Sequence, residues 1–345
     1  MSWLKPSLQH LKPYQAVKKA YRVKLDANES EHYLFQDGVQ FNEAMHRYPD
    51  NHATELKDKL AQTLGLTPEH CMLGSGSSEV IDHIIKSTVA PGQTILTFSP
   101  TFVMYRFYAD MHMANYVEVP LEADYTLDVD AFIQAIEDRQ PRLIIVCSPN
   151  NPTGTILSDE ALERIIKTAP GLVILDQAYI EFSNTQRNWL EAFDAYPHLI
   201  VTRTFSKAYG LASLRLGYSC AHPRLIEELT VTKTPYNLSS FTQAVGLQAL
   251  NDYHKMSDFT QGVMRRKETL SDTLKSLGFT VYPSGGNFLF VESPLKDLAT
   301  RLEDKGILIR SFSFDLPKYR ITVGTENDIT LLVQALKELK HECME

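Results

Sequence analysis

From about residue 70 to residue 220, short runs of apolar, often β-branched residues alternate with stretches whose apolar positions recur at helical spacing. That alternation constrains the fold more than any other feature of the chain. Strands separated by helices rather than by tight turns pair in parallel through crossover connections. The pattern therefore predicts an α/β architecture: a large domain with a mostly parallel sheet sandwiched by helices. Strands are predicted at residues 95–98, 116–119, 143–147, 172–175, 199–202 and 216–220. Between them, Val80, Ile81, Ile84, Ile85 and Val89 mark one amphipathic helix, and Leu162, Ile165 and Ile166 mark another.

A second pattern follows a long helical connection over residues 243–275. Strand-like runs at 279–282, 287–292, 307–310 and 319–323, with helices near 295–305 and 328–340, predict a smaller α+β domain at the C-terminus. The expected organisation is an N-terminal segment (1–40) packed on the other two parts, a large domain (41–245) and a small domain (246–345).

With 345 residues and 43% apolar content, the chain can bury a sizeable core. Its 34 basic and 42 acidic residues leave a formal charge of -8, which argues against nucleic acid and anionic membranes as partners. The N-terminus lacks the apolar core of a signal peptide, and no stretch approaches the ~18 apolar residues of a membrane span. Cys71, Cys147, Cys220 and Cys343 form no Cys-x-x-Cys pair, so neither a disulfide framework nor a metal site is expected. A cytoplasmic location fits this cysteine usage.

The chemically suggestive residues fall just past the carboxyl ends of predicted strands, where open α/β sheets place their ligands. Gly74-Ser75-Gly76-Ser77-Ser78-Glu79 leads into a helix and can cradle a phosphate, although a simple capped helix start explains it as well. Phe102 could stack on a flat heterocycle, or belong to the core. Ser148-Pro149-Asn150-Asn151-Pro152-Thr153-Gly154 is a rigid turn that also aims the Asn151 amide. Asp176 closes an apolar run with Tyr179 three residues on; a buried carboxylate there needs a cation, unless it merely caps the next helix. Finally, Thr204-Phe205-Ser206-Lys207-Ala208-Tyr209-Gly210 puts a lysine beyond a buried strand, with Arg215 downstream. Flanking aromatics favour burial of Lys207, which lowers an amine's pKa toward nucleophilic use, and the segment suits a Schiff base beside a bound phosphate.

In this order and spacing, residues 74–79, Phe102, Asn151-Pro152-Thr153-Gly154, Asp176, Tyr179, Ser206-Lys207 and Arg215 resemble the fold-type-I pyridoxal-phosphate aminotransferases. Leu25-Asp26-Ala27-Asn28-Glu29, Arg47-Tyr48-Pro49, Pro235-Tyr236-Asn237 and Arg320-Ile321-Thr322-Val323-Gly324-Thr325 are similar to the histidinol-phosphate aminotransferase subgroup.

The resemblance implies that pyridoxal 5'-phosphate is carried on Lys207 with its ring nitrogen facing Asp176. It implies hydrogen bonds from Asn151 and Tyr179 to the ring oxygen, and Phe102 on the ring face. The phosphate would lie among Ser77, Ser78, Thr204, Ser206 and Arg215, and Tyr48 would reach the site of a partner subunit, making a homodimer. Arg320 would grip the substrate anion, assisted by Arg310, Tyr14 and Asn28. The implied reaction converts histidinol phosphate and 2-oxoglutarate to imidazole acetol phosphate and glutamate, a step of histidine biosynthesis. Aromatic amino-acid transamination and threonine-phosphate decarboxylation are alternatives on the same scaffold; a pyridoxal-phosphate-binding protein without turnover is a remoter one.

Overall fold

The computed structural model describes residues 4, 8–11, 19–30, 33–35, 46–184, 187–312 and 317–342. Its strands are β1 (Val23–Leu25), β2 (Cys71–Gly74), β3 (Thr94–Ser99), β4 (Asn115–Pro120), β5 (Leu143–Cys147), β6 (Leu172–Asp176), β7 (Leu199–Thr204), β8 (Gly217–Ala221), β9 (Thr280–Tyr282), β10 (Phe288–Glu292), β11 (Ile307–Phe312) and β12 (Lys318–Thr322). The helices are α1 (Thr54–Leu64), α2 (Gly76–Thr88), α3 (Met104–Met111), α4 (Val129–Arg139), α5 (Asp159–Thr168), α6 (Pro223–Val231), α7 (Ser240–Asn251), α8 (Tyr253–Ser276), α9 (Leu298–Asp304) and α10 (Glu326–Glu342).

The larger sheet has seven strands in the order β2-β8-β7-β6-β5-β3-β4. Every residue of β5, Leu-Ile-Ile-Val-Cys, is buried, as expected of a central strand covered on both faces. At the edge, β4 alternates partly buried with exposed positions and ends on Pro120, which a central ladder would not tolerate. β8 pairs antiparallel with both β7 and β2, while the other pairings in this sheet are parallel. The apolar stripes of the helices close the layers; α2 buries Val80, Ile81, Ile84 and Ile85, and α5 buries Leu162, Ile165 and Ile166. Asp128 and Ser158 cap α4 and α5 by accepting from the Ala131 and Ala161 amides at 3.0 and 3.1 Å.

Strand direction sets up the site. β5, β6 and β7 end at one edge of the sheet, and β8, running the other way, begins there: Cys147 lies opposite Asp176, and Thr204 opposite Gly217. β2 also ends there, with Gly74 opposite Gly217. The order doubles back between β3 and β5, which leaves a crevice above that edge.

The smaller sheet has five strands, ordered β1-β11-β12-β10-β9. Its own core includes Leu270, Leu274, Val291, Leu302, Ile321, Leu332 and Leu336. The helical connection read over 243–275 is two helices, α7 and α8, broken at Asp252, where φ is -97° and ψ 32°. α8 serves both cores, with Met256, Phe259 and Val263 on the larger one and Leu270 and Leu274 on the smaller. We place the division between the two domains inside α8, C-terminal to the 245/246 boundary read from the sequence. The N-terminal segment contributes β1, which pairs in parallel with β11 and so belongs to the smaller sheet. Among the described residues, no helix is long and apolar enough to cross a membrane.

Ile145 is fully buried at the centre of β5. Ile145→Ala is expected to cost about 2–5 kcal/mol through lost transfer energy and a residual cavity. The check is the midpoint of urea denaturation followed by tryptophan fluorescence, which should fall clearly.

Candidate active site

Asp176, the last residue of β6, is 3% exposed. Its Oδ2 accepts from the Tyr105 hydroxyl at 2.6 Å and its Oδ1 from the Ala178 amide at 3.1 Å. Burial pushes the carboxyl above the usual carboxylate range, while the hydrogen bonds from Tyr105 and the Ala178 amide pull it back. Tyr179, on the turn that follows, sets its ring edge-on to Phe288 with centroids 5.2 Å apart. Its hydroxyl accepts from Asn28 Nδ2 at 3.1 Å. Desolvation raises that phenol to about 12.

Past the end of β7, the partly buried Lys207 lies with its Nζ 5.8 Å from the centroid of the Tyr179 ring, donating to the Ala27 carbonyl at 3.0 Å. Burial first, then the positive charge of Arg320, lowers its pKa to about 7. Arg320, at the centre of β12, donates through Nη1 to Asn151 Oδ1 at 2.5 Å and through Nη2 to the Asp26 carbonyl at 2.7 Å. Consecutive residues Asp26, Ala27 and Asn28 thus touch Arg320, Lys207 and Tyr179 in turn. Asn28 sits at φ 53°, a left-handed conformation that asparagine tolerates better than most residues. Its side chain is fixed by Thr322 at 3.1 Å.

The neighbouring asparagine, Asn150, explains why Asn151 is so placed. Fully buried, it donates to the Pro100 carbonyl at 2.9 Å and to Thr153 Oγ1 at 2.8 Å, and accepts from Thr101 Oγ1 at 2.8 Å. This ties the turn after β5 to the turn after β3. Phe102, half-buried, lies between that second turn and α3, edge-on to Tyr105 with centroids 5.5 Å apart.

Beside them stands an anion cradle. Ser77 and Ser78 lie in the first turn of α2, whose amides and dipole favour negative charge. Thr204 Oγ1 and Ser206 Oγ are 3.0 Å apart, and Arg215 Nη1 reaches Ser206 Oγ at 3.4 Å. A side chain would be strained at either glycine of the cradle, at Gly217 by contact with backbone and at Gly76 by its φ of 80°. A Cβ on Gly76 would stand 2.5 Å from Arg215 Nη2, and one on Gly217 would stand 2.1 Å from the Ser77 amide nitrogen. Arg215 itself sits at φ 53°, a conformation unfavourable by about 1–2 kcal/mol and tolerated here next to the cradle.

Two other expected residues are exposed. Tyr48 is 82% exposed and stacks on Tyr236 at 4.7 Å between centroids. Arg310 pairs directly opposite Arg320 across β11 and β12 and is exposed. Tyr14 lies outside the described residues. Tyr105 and Asn150 escaped the sequence reading. The signal for Tyr105 was slight, a tyrosine one helical turn after Phe102; Asn150 was hidden in a turn that its prolines and glycine already explained.

The model of the family described as "Aminotransferase class I and II" matches residues 13–336. The chain belongs to that aminotransferase family. A histidinol-phosphate aminotransferase from Caldanaerobacter subterraneus subsp. tengcongensis is 34% identical over 97% of this chain and 98% of its own. One from Carboxydothermus hydrogenoformans, histidinol-phosphate aminotransferase 1, is 36% identical over 98% of each chain. The crystal structure of the Sinorhizobium meliloti histidinol-phosphate aminotransferase in complex with pyridoxal-5'-phosphate superposes with a TM-score of 0.91, at 24% identity, covering 99% of each chain. The resemblance read from the motifs is borne out, and with it the fold class.

As an aminotransferase the protein uses pyridoxal phosphate, and its donor set fits that group. The cradle supplies amides, hydroxyls and a guanidinium for a phosphate, Asp176 a buried carboxylate for a ring nitrogen, and Lys207 an amine of lowered pKa for an aldehyde. An amine that titrates near 7 is protonated and unreactive below that pH and nucleophilic above it. The rate at which the cofactor-free protein takes up pyridoxal should rise through pH 7 and level off above pH 8; a midpoint near that of a free lysine would contradict this environment.

Proposed function

We propose that this aminotransferase moves the amino group of histidinol phosphate to 2-oxoglutarate, giving imidazole acetol phosphate and glutamate in histidine biosynthesis. The observation that carries the substrate assignment is the pairing of Arg310 with Arg320. Directly opposed residues of antiparallel strands project from the same face. Two guanidinium groups at one sheet position suit a phosphate dianion better than a single carboxylate. The names of the relatives at 34% and 36% identity support the same substrate.

Bound pyridoxal phosphate would supply the electron sink for a carbanion at the substrate Cα. The chain's own residues do the rest. Arg320, with Arg310 beside it, binds the substrate's anionic end and so fixes the direction in which its Cα faces. Asn28, held in place by Thr322, orients the Tyr179 hydroxyl. Asp176 holds a proton on the ring nitrogen. Lys207, in the neutral form of an amine that titrates near 7, takes the proton from the substrate Cα on its Nζ. The buried, edge-on pair of Tyr179 and Phe288 limits water.

The same reading makes the enzyme a cytoplasmic homodimer whose sites each receive Tyr48 from the other subunit. The exposed stack of Tyr48 on Tyr236 supports a covered aromatic face.

A panel of amino donors against 2-oxoglutarate, followed through the cofactor's absorbance, tests the substrate. Histidinol phosphate should give the highest kcat/KM. No amino transfer from it would reject this substrate, and carbon dioxide release from threonine phosphate would establish the decarboxylase alternative. For the assembly, Tyr48→Ala subunits mixed with Lys207→Ala subunits should recover turnover that neither variant shows alone; absence of recovery would argue against shared sites.

A further inference from the structure

Tyr105 is fully buried in the first turn of α3, and its hydroxyl lies 2.6 Å from Asp176 Oδ2. A buried phenol needs a hydrogen-bond acceptor. The groups within its reach are the Asp176 carboxylate and the Cys147 thiol. Cys147 donates its own proton to the Pro149 carbonyl at 3.4 Å and is a weak acceptor, so the phenol's bond goes to the carboxylate.

The direction of that bond matters. Burial and the adjacent carboxylate hold the Tyr105 phenol well above its ordinary value, so it stays a donor at every working pH. Asp176 meanwhile loses solvation at the end of β6, which by itself favours the neutral acid. A neutral Asp176 could not hold a positive charge on a ring nitrogen. The amide of Ala178 supplies one donor, to Oδ1, and the phenol supplies the charge-assisted bond to Oδ2.

We propose that Tyr105 is a positioning residue that keeps the Asp176 carboxylate ionised and aimed at the ring nitrogen of bound pyridoxal phosphate. The placement of α3 adds to this. Phe102, just before the helix, lies edge-on to Tyr105, and Tyr108, one turn later, faces Ser78 of the anion cradle. One short helix thereby sets the stacking ring, the nitrogen's counter-charge and the phosphate site relative to one another. This inference rests on the pyridoxal-phosphate reading of the site.

The test is Tyr105→Phe, which removes one oxygen and keeps the ring. A protonated ring nitrogen withdraws electrons from the nitrogen joined to Lys207, so weakening it should raise the pH midpoint of the holoenzyme's visible absorbance, by about half a unit or more. The loss of one hydrogen bond to a charged group should lower kcat about tenfold, with KM for the amino donor changed less than about twofold. Tyr105→Leu separates packing from hydrogen bonding. If the residue only fills space, the phenylalanine variant will match the wild type in both midpoint and kcat while the leucine variant melts lower, and the proposal is overturned. Should the phenylalanine variant yield no folded holoenzyme, site-specific 3-fluorotyrosine, a more acidic donor, should shift the midpoint downward; an unmoved midpoint would equally overturn it. A wild type that never acquires visible absorbance would instead reject the reading of the site itself.

Discussion

The structure depends on keeping ionisable groups functional at the edge of a sheet that excludes water. β5, β6 and β7 are buried almost throughout, so whatever closes them is partly desolvated. Desolvation pushes Asp176 toward its neutral acid and Lys207 toward its neutral amine. The second effect serves the chemistry and the first opposes it. The site therefore treats the two differently. Asp176 is given hydrogen-bond donors that favour its charge, while Lys207 is given a neutral carbonyl and the repulsion of Arg320 and Arg215.

The antiparallel strand β8 solves a second problem. In an all-parallel sheet, each strand offers its carboxyl end to the crevice and its amino end to the opposite edge. Because β8 runs backwards, its first residue, Gly217, lies beside Thr204 and Gly74, and Arg215 just ahead of it arrives at the cradle. The glycine is required by contact: the first turn of α2 comes down directly on it, leaving no room for a Cβ. The phosphate site is thus made by strand direction as much as by side chains.

Much of this was legible in the sequence, for reasons that differ from part to part. The strands of the large sheet were readable because both faces are buried, which leaves continuous apolar runs such as 143–147. Asp176, Lys207 and Arg215 were readable because a charge at the end of such a run is costly without a purpose. β2 went unread, since Cys71-Met72-Leu73-Gly74 is short and has no β-branched residue, and β1 is only three residues long. Both are formed by their neighbours. The burial of Tyr105 and Asn150 depends on which turns meet, a long-range fact that local spacing does not encode. The exposure of Arg310 is similar: its apolar run, Ile307-Leu308-Ile309, predicts the strand but not where its buried face stops.

The N-terminal segment carries the least periodic sequence and joins the most parts of the site. β1 fastens it to the smaller sheet, and the residues that follow reach Arg320 on that sheet and Lys207 and Tyr179 on the larger one. Two of these contacts use main-chain carbonyls, which are available whatever the side chain. The third uses Asn28, whose left-handed backbone and fully buried amide leave few alternatives. Lys24 completes the arrangement at the surface, bridging Asp26 at 3.0 Å and pairing with Glu29 across the same bend. A segment with little core of its own can be held this way because its polar groups satisfy, and are satisfied by, groups that the two sheets would otherwise leave facing the crevice. Its order is then coupled to the relation between the sheets, so that whatever fixes Arg320 against Asn151 also fixes the carbonyls facing Lys207.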